Sequence, residues 1–254
     1  METQKKVLLL LTGKLANVDN LIATAVFLKK NYNYKIMPLY IRNIDIFIPP
    51  ANLMVSALGG GVIGNNLEEN DNERIKDLYK KLTLNNIIEP LIIEVGLTNK
   101  IVEEYMKQAD LLLLNRNQNL SDDTFSILKE SYKPILLINE QEFSFNNVLI
   151  ASDDGPKVNK SVGAFYSLFN NVNNFKIISY TKDVDEHALM EYLSDKKKNV
   201  EIKNYENIDE FYENLNKASL LIMGNLTKSY FLEKIAKKGL SIIENTSVPI
   251  FIGL

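Results

Sequence analysis

The residues best placed to bind a ligand follow two apolar runs in the second half of the sequence. Gly224 comes directly after "LLIM", and Asp153 follows "VLIA" in the stretch "SDDGP". Small residues after a buried strand let backbone amides approach an anion, and a carboxylate there can bind a ribose hydroxyl or a metal ion. Each residue also has a structural interpretation. Gly224 would form a turn with positive φ, and Asp153 or Asp154 would cap a helix that begins at Pro156.

Basic residues elsewhere offer further candidates for anion binding. The stretch "NRNQN" puts Arg116 after an apolar run, where it would hold an anion or lie in an ordinary polar loop. Lys237 and Lys238 would contribute charge to a phosphate site or form the solvated face of a helix. "TGK" at 12–14 is followed by leucine and lacks the longer glycine-bearing loop of a P-loop, so it predicts no phosphate site.

Thiol and imidazole chemistry are nearly absent from the sequence. The 254 residues include no cysteine and one histidine, His187, which excludes disulfides, thiolate catalysis and cysteine-based zinc sites. His187 lies in a helical pattern, and we expect it at the surface without a metal. No paired carboxylates, catalytic dyad or metal-ligand cluster assigns a reaction, so a binding protein is favoured over an enzyme.

Charge and hydropathy narrow the classes of partner. The formal net charge of -3 gives no bulk attraction to nucleic acid or to an anionic membrane. The opening apolar run is too short to span a bilayer and lacks a cleavage pattern. We therefore expect a soluble cytoplasmic protein with neither nucleic acid nor a membrane as partner.

Short apolar runs alternate with helical patterns along the whole chain, which predicts parallel strands covered by helices on both faces. The runs are "KVLLLL", "YKIMPLYI", "PLIIEV", "DLLLLN" and "KPILLI", then "NVLIAS", "FKIISYT", "NVEIKNY", "SLLIMG" and "VPIFIG". The second five match the first five in order, which indicates an internal duplication joined near 139–147. The predicted domains are 1–142, with an apolar insertion at 44–64, and 143–254.

The repeated unit resembles the universal stress protein family in its tandem form. The likeness is carried by "NNVLIASDDGPKVNKSVGAFYSLF" and "ASLLIMGNLTKS...SVPIFIGL" in the second half, and by "ADLLLLN...KPILLI" in the first. It implies an α/β fold of two tandem open parallel five-stranded sheets with helices on both faces, like the adenine-nucleotide alpha-hydrolases. It also implies a regulatory or binding role in the stress response.

Nucleotide-binding members of that family share the motif G-x2-G-x9-G-[ST], of which this chain keeps little. Gly224 matches the first glycine, Thr227 stands at the second, and Ala236 falls at the third with one loop residue missing. Asp153 matches the aspartate that contacts the nucleoside in those members, whereas its first-half counterpart is Thr12. The resemblance therefore implies no ATP or other cofactor bound in the usual manner. The alternative is ATP or AMP binding, or slow ATP hydrolysis, in the second-half cleft through Asp153, Gly224 and Thr227.

Two features predict how the chain assembles. Proline-led apolar strands at 134–138 and 249–253 are expected to pair antiparallel, which would make the chain an internal pseudo-dimer. The insertion at 44–64 is too apolar to be left in water, so it would pack over the ligand cleft, contact another subunit or stay mobile until a partner binds. We favour the contact with another subunit, and its glycines would form a hinge or tight turns.

Overall fold

The computed structural model describes residues 4–11, 18–43, 60–116, 120–152, 155–180, 187–224 and 242–253, with the backbone alone at 43, 60–68 and 187. Its first half contains β1 (Lys6–Leu11), α1 (Val18–Tyr32), β2 (Lys35–Asn43), α2 (Gly60–Leu84), β3 (Ile92–Gly96), α3 (Thr98–Met106), β4 (Leu111–Asn115), α4 (Asp122–Glu130) and β5 (Ile135–Ile138). Its second half contains β6 (Val148–Ala151), α5 (Pro156–Leu168), β7 (Asn174–Ser179), α6 (His187–Asp195), β8 (Asn199–Asn204), α7 (Ile208–Leu215), β9 (Leu220–Met223) and β10 (Ile250–Ile252).

The ten predicted strands form one sheet in the order β3-β2-β1-β4-β5-β10-β9-β6-β7-β8. Each half contributes five parallel strands, which confirms the predicted α/β fold class. The central strands are apolar almost without interruption because helices cover both faces of the sheet.

The halves join through the predicted antiparallel pairing of β5 with β10. Ile250 lies opposite Leu137, Phe251 opposite Leu136, and Ile252 opposite Ile135. Since Ile135 and Ile250 hold equivalent positions beside β4 and β9, the register is symmetric about the pair Leu136 and Phe251. The two five-stranded sheets are therefore continuous, with the strand direction reversing once, at this junction.

Both faces of the sheet have cores that draw on both halves. On the face covered by α1, α2, α5 and α6, the connection between the halves inserts Phe143 and Phe145 among aromatic rings. Phe143 lies 5.4 Å from Phe27, and Phe145 lies 5.7 Å from Phe165, measured between ring centroids. The opposite face, under α3, α4 and α7, packs a second apolar cluster that also spans both halves. The division at 142 and 143 remains a prediction.

Most of the apolar insertion, residues 44–59, lies outside the described residues. Helix α2 begins at Gly60 and includes Gly61 and Gly64, so the prediction of a hinge or tight turn at these glycines is wrong. Glycine in a helix interior costs about 1 kcal/mol relative to alanine, a cost that the remaining turns of this 25-residue helix offset. Within the described ranges, none of the helices combines the length and the hydropathy needed to cross a membrane.

Candidate functional site

The reversal at β5 and β10 sends the carboxyl edges of the two halves to opposite ends of the sheet. In α/β sheets, ligands bind where the carboxyl ends of parallel strands meet the first turns of helices. The molecule therefore has two candidate edges, one after β1, β2 and β4 and one after β6, β7 and β9. Next to the first edge lies the amino end of β10, because that strand runs the other way.

At the second-half edge, Gly224 packs directly against the first turn of α5. A Cβ atom at Gly224 would lie 3.0 Å from Cβ of Lys157 and 3.2 Å from the backbone nitrogen of Val158. The φ angle of Gly224 is not positive, so the expected positive-φ turn is wrong. Glycine is needed here because the strand end and the helix approach closely. Asp153 and Thr227, the other two site candidates, lie outside the described residues.

The start of α5 is described from Gly155 onward. The N-cap residue is Gly155, with extended φ and ψ, and it has no side chain to accept a hydrogen bond from the helix amides. Pro156 occupies the first turn as expected. Asp153 and Asp154 lie outside the described residues, so capping of α5 by either side chain stays a prediction.

At the first-half edge, Arg116 is buried and ties the two halves together. Only 1% of the residue is exposed. Its Nη2 donates to the carbonyl oxygens of Thr246 and, at 3.2 Å, Val248, and its Nη1 contacts Oγ1 of Thr246 at 3.5 Å. These acceptors precede β10, so a side chain of one half binds backbone of the other. Neither predicted interpretation of Arg116, an anion ligand or an ordinary polar loop, is correct.

The electrostatics of Arg116 follow from this burial. Its acceptors are neutral, and burial lowers the pKa of the guanidinium to about 10. Its Nε is buried and has no hydrogen-bond partner among the described residues. A signal in the sequence could have placed Arg116 inside: Leu112, Leu114 and Arg116 alternate on one face, and the Arg116 amide extends the strand ladder to Ile138 at 2.7 Å.

A polar network that the sequence reasoning missed lies beside the first-half edge, between β2 and α2. The Tyr40 hydroxyl donates to Oδ1 of buried Asp71, and Arg42 Nε lies 2.8 Å from Asp71 Oδ2. Arg42 also donates to Oδ1 of Asn72 at 2.8 Å. Burial, reinforced by the Asp71 carboxylate, raises the pKa of Tyr40 to about 12. Tyr40 is thus a neutral donor, and the network fixes α2 against β2.

Hydroxyl and aromatic groups mark the second-half edge at β7 and β8. Ser179 Oγ donates to Oδ1 of Asn204 at 2.7 Å. Tyr205 follows β8, packs edge to face on Phe211 at 6.1 Å, and is 3% exposed. Its hydroxyl is buried and has no partner among the described residues. Tyr180 lies 5.9 Å from the same Phe211 ring. These groups form an aromatic wall with one unpaired hydroxyl.

For the remaining candidates, the structure describes no side chain. Thr12, Lys14, Ala236, Lys237 and Lys238 lie outside the described residues. His187 begins α6, where the structure gives its backbone alone, so its surface position stays a prediction. Within the described ranges, no cluster of three or more His, Asp or Glu side chains could hold a metal ion.

Comparisons with known proteins identify the fold. No protein-family model matches the chain, and no curated protein is similar in sequence. A protein of unknown function from Pseudomonas aeruginosa PAO1 superposes with a TM-score of 0.62 at 10% identity, over 98% of this chain and 92% of that one. A protein provisionally named as a universal stress protein, from Pseudomonas aeruginosa UCBPP-PA14, gives 0.58 at 9% identity with the same coverage. Both likenesses span both halves, so the chain has their tandem fold.

Proposed function

We propose that this chain, with its tandem universal stress protein fold, is a regulatory or binding protein of the cytoplasmic stress response that does not bind ATP in that family's usual manner. The observation that carries the proposal is the role of Arg116. The position after β4, where a phosphate-binding loop would begin, holds a buried side chain bonded to Thr246 and Val248 of the other half. Arg116 is 1% exposed and its Nη2 donates to backbone carbonyls of the other half, so these donors are not presented to a ligand at the edge.

The second-half edge supports the same proposal on steric grounds. At the end of β9, Gly224 lies so close to the first turn of α5 that a Cβ atom there would be 3.0 Å from Cβ of Lys157 and 3.2 Å from the nitrogen of Val158. By sequence, Thr227 and Ala236 add side chains where the family motif has glycines. Among the described residues, no group of three or more His, Asp or Glu side chains could hold a catalytic metal ion.

The internal pairing of β5 with β10 supports a pseudo-dimer as the working unit. Two strongly apolar edge strands cover each other, as two separate subunits would otherwise have to do. The chain would then act through an unidentified protein partner and without a cofactor.

The test is the small-molecule content of the purified protein. The chain has no tryptophan, so bound nucleotide would raise its absorbance at 260 nm clearly relative to 280 nm. We expect a nucleotide-free ratio and no adenine nucleotide in the supernatant after denaturation, measured by liquid chromatography and mass spectrometry. Stoichiometric ATP or AMP would contradict the proposal.

A second candidate is nucleotide binding, or slow ATP hydrolysis, at the second-half edge. It is favoured by one observation, the buried Tyr205 hydroxyl without a described partner beside the Tyr180 and Phe211 rings. An adenine ring would stack on such a wall and accept from the hydroxyl. If nucleotide is recovered, Tyr205→Phe should lower the occupancy of the nucleotide. Tyr192→Phe, at an exposed tyrosine of α6, should not.

A further inference from the structure

The two outer edges of the ten-stranded sheet present different surfaces. On β8, the outermost strand of the second half, the exposed side chains are Asn199, Glu201, Lys203 and Asn204. Glu201 forms an ion pair with Lys176 on the neighbouring strand at 3.0 Å. Charged side chains on an edge strand oppose pairing with another strand, so this edge is protected.

On β3, the outermost described strand of the first half, and directly after it, the exposed side chains are apolar. Ile93 is 38% exposed, and Val95 and Leu97 are each 58% exposed. The acidic residue of the strand cannot protect this edge, because Glu94 is turned inward and accepts a hydrogen bond from Tyr105. Beyond β3, no described strand covers its outer backbone groups.

The residues that precede β3 in the sequence also expose apolar side chains. Of the nine large hydrophobic residues exposed among the described ranges, six fall between 79 and 97. We call them the β3 edge surface: Tyr79, Leu84, Ile88, Ile93, Val95 and Leu97. They expose on the order of 500 Å², as large as the biggest patch on a typical monomer, and such patches usually mark contacts.

We infer that the β3 edge surface binds a second copy of this chain, with β3 pairing antiparallel to β3 across a two-fold axis. A two-fold contact places the same patch on both sides, and an apolar patch with an unpaired strand is complementary to itself. Burying it on both copies removes about 1,000 Å² from water, which is about the least area expected of a specific protein interface. The pairing would also extend the existing sheet, as β5 and β10 do within the chain.

Sedimentation velocity at protein concentrations between about 1 and 100 µM detects a dimer whose dissociation constant lies in the same range. We expect the wild-type chain to sediment at twice the monomer mass. Val95→Lys combined with Leu97→Lys should weaken dimerisation at least tenfold with unchanged circular dichroism. The matched control, Asn199→Lys on the β8 edge, should leave the dimer intact.

A cross-linking experiment places the interface without disturbing it. The chain has no cysteine, so Val95→Cys and, as control, Lys203→Cys each introduce a single thiol. A short bismaleimide should link the first variant into a covalent dimer. The second variant should show no covalent dimer on a denaturing gel. A wild-type chain that stays monomeric throughout, as expected if its own residues 44–59 cover the edge, would overturn the inference. So would a dimer that persists in the double-lysine variant or cross-links through Lys203→Cys.

Discussion

The ends of β4 and β9 are equivalent positions in the two halves, yet they are built for different purposes. After β9, Gly224 lets the strand end lie against the first turn of α5. After β4, the chain continues into Arg116, whose guanidinium crosses to the backbone before β10. One edge thus keeps a glycine at a close approach, and the other has become a tie between the halves.

The largest expected effect is at the strand junction. Ile250 is fully buried where β10 pairs with β5, so Ile250→Asp places a charge in the apolar seam and should lower the free energy of unfolding by about 4 kcal/mol or more. Asn199→Asp, on the exposed β8 edge, should change it by less than about 0.5 kcal/mol. Urea denaturation measures both. Equal effects would show that the seam does not hold the halves together.

The next effect concerns another unequal pair, Gly253 and its first-half counterpart Ile138. A Cβ at Gly253 would lie 2.4 Å from Cα of Ser161, and the Gly253 amide donates to Ser161 Oγ at 2.9 Å. Gly253→Ile, which copies the first half, should therefore cost about 3 kcal/mol by overpacking. Gly163→Ala is the control, since nothing lies within 4 Å of its added methyl group, and it should stabilise α5 slightly. A tolerated isoleucine would contradict the close contact.

A smaller effect is expected at Arg116 itself. Arg116→Met fills similar space but leaves the carbonyl oxygens of Thr246 and Val248 without a donor, which should cost about 2 kcal/mol. The loss of stability is moderated because burying a guanidinium whose described acceptors are neutral is itself unfavourable. Lys100→Met, at an exposed lysine paired with Glu103, should be nearly neutral. Thermal unfolding of the three proteins decides, and a stabilised Arg116→Met would refute the tie.

The smallest expected effect on the free energy of unfolding is at Tyr40, and it depends on pH. Tyr40→Phe loses the hydrogen bond to Asp71 and should cost about 1 kcal/mol near neutral pH. The folded-state pKa of about 12 exceeds the unfolded value near 10, so this contribution is full below pH 10 and is lost as the pH rises through 12. The difference between wild type and Tyr40→Phe should shrink over that interval. A difference that stays constant over that interval would contradict the assignment.

Local patterns in the sequence were enough for the fold. Unbroken apolar runs such as "LLLL" in β4 identify buried parallel strands, and the prolines before β5 and β10 identified the strands that pair. The site was harder because its contacts join residues far apart in the chain. Ser161 and Gly253 are 92 residues apart, and Arg116 and Thr246 are 130 apart. Gly224 was recognised as special, but the helix that requires glycine there lies far from it in sequence.

The central claim, that neither edge binds ATP in the family's manner, is tested most directly by titration calorimetry. Wild-type protein is titrated with ATP and with AMP at neutral pH in the presence of Mg²⁺, alongside Gly224→Val as a variant with a blocked second-half edge. We expect no saturable heat, which means a dissociation constant weaker than about 100 µM for both nucleotides. Micromolar or tighter ATP binding to the wild type, lost in Gly224→Val, would contradict the account.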